Sequence, residues 1–240
     1  MSEFRVFGGP TVLFDYGGLR FLTDPTFDQP GDYPRGDGRF LTKTAPPAAG
    51  PETLGRVDAV LLSHDQHPDN LDRSGRELLG SVPQILTTPS AAGRLGGTAR
   101  GLAPWESVAL DRVTVTAVPA QHGPDGSEPV IGEVTGFVLT GDGPAIYVSG
   151  DNASLQIVRE IASRFGPVGT AVLFAGATRT GLFDNALLTL DSAQAAEAAA
   201  ILGARRVIPV HLDSWAHFTQ GRDALDAAFA AAGLSSLLDG

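Results

Sequence analysis

The chain changes its pattern along its length, and that change restricts the folds open to it. It opens as strands: residues 4–7, 11–16 and 19–23 are short β-rich runs, separated by the turn signals Gly8-Gly9-Pro10 and Gly17-Gly18. A stretch from Asp24 to about Glu52, dense in Pro, Gly and Asp, follows. Irregular segments of that length inside a folded unit are usually functional, and we read this one as a flap beside a site. From residue 57 onward, strands mix with helices. Residues 57–63 read as a buried strand, 71–79 as a helix with Asn70 as N-cap, and 84–88 as a short strand. Residues 107–119 read as two strands with a turn at Asp111-Arg112, and 134–140 with 145–149 as a hairpin. A helix at 151–165 and a strand at 171–174 come next. An Ala-rich helix at 191–202 carries Asp191 as N-cap and Gln194 three positions on, and a strand at 206–210 and a last helix at 222–232 complete the chain. Many strands, then helices mixed with single strands, predict two sheets with helices outside. That is a layered α/β domain over residues 1–240, with no linker to divide it.

Composition narrows the chemistry. With 240 residues and 42% apolar side chains, the chain can bury a substantial core. Gly (30) and Pro (17) make up about a fifth of it without any repeat, which marks a loop-rich globular fold. The net charge of −10 disfavours a phosphate backbone, so no nucleic-acid partner is expected. No apolar run approaches the ~20 residues of a transmembrane helix. The start Met1-Ser2-Glu3-Phe4-Arg5 lacks the features of a signal peptide, so a cytoplasmic location is the expectation. Cysteine is absent, which excludes disulfides, iron–sulfur clusters and thiol nucleophiles. Any metal must be held by histidines and carboxylates.

The five histidines are His64, His67, His122, His211 and His217, and none falls on a predicted helix surface. Four of them follow the end of a predicted strand at once or within a few residues. Asp151, in Tyr147-Val148-Ser149-Gly150-Asp151, is placed the same way. Loops at strand ends are where layered α/β folds build sites. One such histidine is ordinarily a hydrogen-bonded structural residue, and Asp151-Asn152 would serve equally well as a helix cap. Several such loops converging on one point would make a site for zinc, iron or manganese.

The segments also have a recognisable order. Gly8-Gly9-Pro10-Thr11-Val12-Leu13 comes first, then Leu22-Thr23-Asp24-Pro25, then Leu61-Leu62-Ser63-His64 through Asp72. The His122 loop, the Ser149-Gly150-Asp151 turn and Ile208-Pro209-Val210-His211 follow. In this order the chain resembles the metallo-β-lactamase superfamily. Within it, the chain looks most like the branch of ascorbate-6-phosphate lactonase-like hydrolases and N-acyl-phosphatidylethanolamine phospholipase D.

The resemblance implies a four-layer αββα sandwich and a metal-dependent hydrolase of small molecules. A metal-bound hydroxide would attack an ester, lactone or phosphodiester, with one or two Zn²⁺ ions, or Mn²⁺ or iron, as cofactor. The first motif of the family, His-x-His-x-Asp-His, is altered here. Anchored on Asp69, the pattern puts Asp65 at the first His, His67 at the second and Asn70 at the last; anchored on Ser63-His64, it makes His64 the first ligand with one residue inserted before His67. The other ligands carry over directly: His122 to the first metal, Asp151 as bridge and His211 to the second. One site would hold His67, His122, Asp151 and either His64 or Asp65. The other would hold Asp69, Asp151 and His211, and is the weaker because Asn70 replaces an imidazole. Asp69 would orient or deprotonate the attacking water. His217 would donate a proton or orient substrate, or else simply be a hydrogen-bonding neighbour of a packed Trp215. Arg179, Phe183 and Asn185 are candidates for a substrate wall. Two other functions fit the same residues: a non-catalytic ligand-binding domain with a degenerate metal site, and an iron-dependent oxidoreductase on the same scaffold.

Overall fold

The structure is a computed structural model and describes residues 3–35 and 38–238. The chain runs through β1 (Phe4–Gly8), β2 (Thr11–Tyr16), β3 (Leu19–Thr23), β4 (Gly31–Pro34), β5 (Phe40–Lys43), β6 (Ala59–Leu61), α1 (Arg73–Leu79), β7 (Ile85–Thr87), α2 (Pro89–Leu95) and β8 (Ala99–Gly101). It continues through β9 (Ser107–Leu110), β10 (Val113–Pro119), α3 (Glu128–Ile131), β11 (Thr135–Thr140), β12 (Ile146–Val148), α4 (Leu155–Phe165), β13 (Thr170–Phe174), α5 (Ser192–Ile201), β14 (Arg206–Val210) and α6 (Arg222–Ala231). The strands form two mixed six-stranded sheets, ordered β1-β2-β3-β6-β7-β8 and β14-β13-β12-β11-β10-β9, and a separate β4-β5 hairpin.

Side-chain alternation explains the layering. On β2, Val12, Phe14 and Tyr16 face the other sheet, whereas Leu13 faces outward into a cluster with Leu71 and Leu79. On β13, Val172 and Phe174 enter the core between the sheets, whereas Ala171 and Leu173 pack outward with Ile161 of α4, Ala195 of α5 and Phe229 of α6. Strands covered on both faces read as near-continuous apolar runs. Three apolar interfaces follow, one between the sheets and one on each outer face. This is the αββα sandwich that the segment order predicts.

Some boundaries differ from the sequence reading. The first helix starts at Arg73, and its cap is Asp72, which accepts the Gly75 N–H at 2.8 Å. Asn70 is drawn into a buried network and Leu71 into the outer apolar cluster, so neither enters the helix. Similarly α4 begins at Leu155 with Ser154 as cap, and Asp151 lies in the preceding turn. The 24–52 stretch carries the β4–β5 hairpin. The elements α2, β8 and α3 were not expected, although Thr88-Pro89 forms a regular cap followed by Pro at the first helical position. The β11–β12 hairpin, the β9–β10 pair and the Asp191/Gln194 capping box are as read. Among the described residues no helix is long and apolar enough to cross a membrane.

The connectivity gathers the polar loops. β10 and β12 each pair antiparallel to β11, and β13 and β14 run parallel to β12. The loops after β10, β12 and β14 therefore leave the same edge of their sheet.

Candidate metal centre

Close backbone approaches bring four loops together. After β6, the Ser63 carbonyl accepts the Thr135 N–H at 3.1 Å, joining the two sheets. Gly150 sits at φ +58°, and a Cβ there would meet the Thr135 carbonyl at 2.5 Å and Ser63 Cβ at 3.1 Å. Only glycine lets the Asp151 turn lie against the His64 loop. After β14, His211 adopts φ +57°, its N–H donates to the Gly9 carbonyl at 2.7 Å, and Asp213 Oδ1 accepts the Gly9 N–H at 2.8 Å. The glycine-rich opening of the chain is the seat of the His211 loop.

His64, His67, His122 and Asp151 each offer one ligand atom, and these atoms lie within 4.8 Å of one another. His122 Nδ1 lies 2.7 Å from the Leu188 carbonyl, which can only accept, so the ring proton sits on Nδ1. In the neutral ring its Nε2 lone pair would face Asp151 Oδ2, which lies 3.3 Å away. Two electron-rich atoms facing each other in a buried site suit a cation between them. His64 Nε2 and His67 Nδ1 stand 2.8 Å apart. Burial, reinforced by the neighbouring imidazoles, holds His64 well below its ordinary pKa and lowers His67 to about 4. Both rings are therefore neutral at pH 7, the form a metal takes. Three imidazoles and one carboxylate fit a divalent transition metal.

Ser63 and Asp24 support this group from behind. Ser63 Oγ lies 2.9 Å from His64 Nδ1 and donates to Asp24 Oδ2 at 2.6 Å, while Asp24 Oδ1 accepts the Ser63 N–H at 2.6 Å. When Ser63 donates to Asp24, its oxygen accepts the His64 Nδ1 proton and leaves Nε2 as a lone pair toward the cluster. In the sequence, Asp24-Pro25 reads only as a strand end that could simply turn, and Ser63 carries no local signal for this role.

A second group adjoins the first. Asp69 Oδ2 lies 2.8 Å from His217 Nε2 and 3.3 Å from His211 Nε2, and His211 Nδ1 lies 3.6 Å from Asp151 Oδ1. Burial raises the Asp69 pKa, but His217 and His211 outweigh it and hold the carboxyl well below the usual range. His211 is packed between Phe174 and Phe218, with ring centroids at 5.2 and 4.3 Å. Asp69 Oδ1, both His211 nitrogens and His217 Nδ1 are buried without a hydrogen-bond partner. Asn70 occupies the remaining position, and its Nδ2 lies 3.3 Å from Asp151 Oδ1.

Other predicted residues lie elsewhere. Asp65 is turned away from the cluster and bound by the Arg94 guanidinium, with Nε at 3.0 and 3.1 Å from its two oxygens. The structure thus brings His64, not Asp65, to the imidazole group, with one residue inserted before His67. Arg179 points to the Asn185 carbonyl on the surface, and neither it nor Phe183 nor Asn185 lines the cleft. The cleft wall comes from Thr178 and Thr180 on either side of Arg179, and from Arg35 and Leu41 of the flap. Trp215 is buried against Tyr33, and His217 bonds to Asp69 rather than to it.

Comparison with known proteins agrees with this geometry. Residues 19–212 match the β-lactamase superfamily domain. A UPF0173 metal-dependent hydrolase of Methanosphaerula palustris is 34% identical over 178 residues, covering 71% of this chain and 75% of the relative. Two solved structures share the fold. An isothiocyanate hydrolase from Delia radicum gut bacteria has a TM-score of 0.82 at 21% identity, covering 99% of this chain and 95% of that one. A possible metal-dependent hydrolase from Veillonella parvula has a TM-score of 0.85 at 18% identity, covering 100% and 96%. With these matches, and with three imidazoles and a carboxylate gathered at one end of an αββα sandwich, the chain belongs to the metallo-β-lactamase superfamily, among its UPF0173 metal-dependent hydrolases.

Proposed function

We propose that the protein hydrolyses an ester, lactone or phosphodiester of a small molecule, with Zn²⁺ held by His64, His67, His122 and Asp151. One observation carries this reading: the imidazole cluster and the Asp69–His217 pair open into the same cleft, which His67, Asp69, His122 and His217 all line. A divalent cation there supplies a Lewis acid that polarises the scissile oxygen and lowers the pKa of a water it touches toward ~7. Asp69 stays ionised, orients the attacking water and accepts its proton as charge builds. His217 fixes the Asp69 carboxylate through Nε2 and is placed to pass a proton to the leaving group. The nearer likeness to the ascorbate-6-phosphate lactonase-like branch rests on the order of sequence segments alone.

The test starts with protein purified without chelator. Elemental analysis should find zinc near one ion per chain or above. A panel of aryl esters, lactones and bis-aryl phosphodiesters should show turnover that chelation abolishes and zinc restores. Hydrolysis that survives complete metal removal would overturn the reading. Iron as the bound metal, with oxygen consumption and no hydrolysis, would replace it with the oxidoreductase alternative.

A further inference from the structure

Resting on the hydrolase reading above, we infer that the substrate carries an oxyanion, a carboxylate or phosphate, beside its scissile bond, and that Arg35 and Thr180 bind that group. Arg35 follows β4 at the tip of the flap and reaches into the cleft that His67, Asp69 and His217 line. It is the one permanent cation among the described residues lining this cleft. It stands close enough to His67 to help depress that ring's pKa, after burial and His122. Thr180 lies on the same cleft, and its hydroxyl oxygen is buried with no hydrogen-bond partner. A planar guanidinium and a buried hydroxyl on residues that line the same cleft are a pair suited to a carboxylate or phosphate. The apolar part of the wall is Leu41, Ile131 and Leu188, which fits a short hydrocarbon between the anionic group and the reacting carbon. The chain as a whole carries −10, so a cation at this point works against the surrounding field. An acidic protein that draws an anion to its centre needs such a residue.

The inference is tested with phenyl acetate and phenyl hydrogen succinate, which share a leaving group and differ in one carboxylate, on the metal-loaded enzyme. The wild type should prefer the succinate. Arg35→Gln should lower the succinate-to-acetate ratio of kcat/KM by about tenfold to a hundredfold, the size of a lost charge-assisted contact, mainly through KM for the succinate. Arg35→Lys should recover part of the ratio. Hydrolysis with the same ratio in wild type and Arg35→Gln would overturn the inference and leave the hydrolase reading standing. A second arm uses chelator-treated protein and inorganic phosphate or succinate, read as a thermal shift. Phosphate or succinate should raise the midpoint of wild type and not of Arg35→Gln; whichever acts at the lower concentration identifies the anion class. That result with no turnover of any ester, lactone or phosphodiester of the panel by metal-loaded protein would keep the anion site and discard the hydrolase reading. Equal shifts in both proteins, or none in wild type, would overturn the anion site.

Discussion

Asn70 and Asp151 are joined across the two sheets: the Asn70 side-chain Nδ2 lies 3.3 Å from Asp151 Oδ1. The same nitrogen donates to Asp24 Oδ2 at 3.1 Å, and Asn70 is fully buried. At a position where the family pattern has an imidazole, this chain thus holds an amide that ties two carboxylates. Asn70→Ala should leave both oxygens short of a donor, at about 1–3 kcal/mol. For a chain of this size that is a fall of roughly 3–10 °C in the thermal midpoint. An unchanged midpoint would show that the amide does not hold the two carboxylates together.

Ser63 links the His64 ring to Asp24, with contacts of 2.9 and 2.6 Å. Ser63→Ala removes the group that orients the imidazole proton but leaves all four candidate ligands in place. Outer-shell partners of this kind are typically worth about 10–100-fold in metal affinity. Competition against a zinc chelator should show a loss of that order, with the midpoint of the metal-free protein changed far less. Equal affinity in wild type and variant would count against this orientation.

The layered fold was legible because its strands read as short β-rich or apolar runs between turn signals and its helices carry caps such as Asp191, which are local signals. Four of the five histidines were legible as a set because they share a position, at or shortly after the ends of strands. What could not be read is set by long-range geometry. Asp65 and His64 are neighbours in sequence, and only the packing of Arg94 on α2 shows which of them turns toward the cluster. Arg35 sits in a flap without periodicity, and Thr180 differs from Arg179 only in which way the loop points its side chain. Asn70 would cap a helix as well as it joins a network, and Asp72 decides the matter by capping α1 instead.

Lys43 and Asp72 form a buried ion pair at 3.4 Å, with side chains 2% and 0% exposed. Lys43 also donates to the Thr26 carbonyl at 3.1 Å and lies over Trp215. The pair thereby pins the flap to the cap of α1 and to the loop after β14. Lys43→Met leaves a buried carboxylate without its counter-charge, which typically costs about 3–5 kcal/mol. A fall of roughly 6–20 °C in the midpoint is expected. Adding Asp72→Asn to that variant should recover part of it. A single variant as stable as wild type would show that the pair contributes nothing.

Asp24 should make the metal-free protein pH-sensitive. Burial pushes its pKa from 3.8 up to about 7, although Ser63 and Asn70 donate to it. Folding therefore favours the protonated form. The stability this contributes is complete below pH 3.8 and is lost as pH rises through about 7. In chelator-treated protein, the difference in midpoint between wild type and Asp24→Asn should shift against the wild type across that interval. A difference that stays constant from pH 4 to 8, on the order of the interval set by the two pKa values, would place the Asp24 titration elsewhere.

Asp69 gives the sharpest test of the chemistry. Its Oδ2 is 2.8 Å from His217 Nε2, and it is not among the four residues that share the ligand cluster. Asp69→Asn keeps the shape but cannot accept a proton from water. Metal bound at His64, His67, His122 and Asp151 should stay near the wild-type level while turnover falls by about 10²–10⁴-fold, the usual worth of a general acid–base group. His217→Ala should cost less, and most with poor leaving groups that need a proton. Turnover against a series of phenols of rising pKa would show this as a steeper dependence than in wild type. If Asp69→Asn loses metal and activity together, Asp69 holds the metal rather than the proton. If it keeps wild-type turnover, the base lies elsewhere in the cleft.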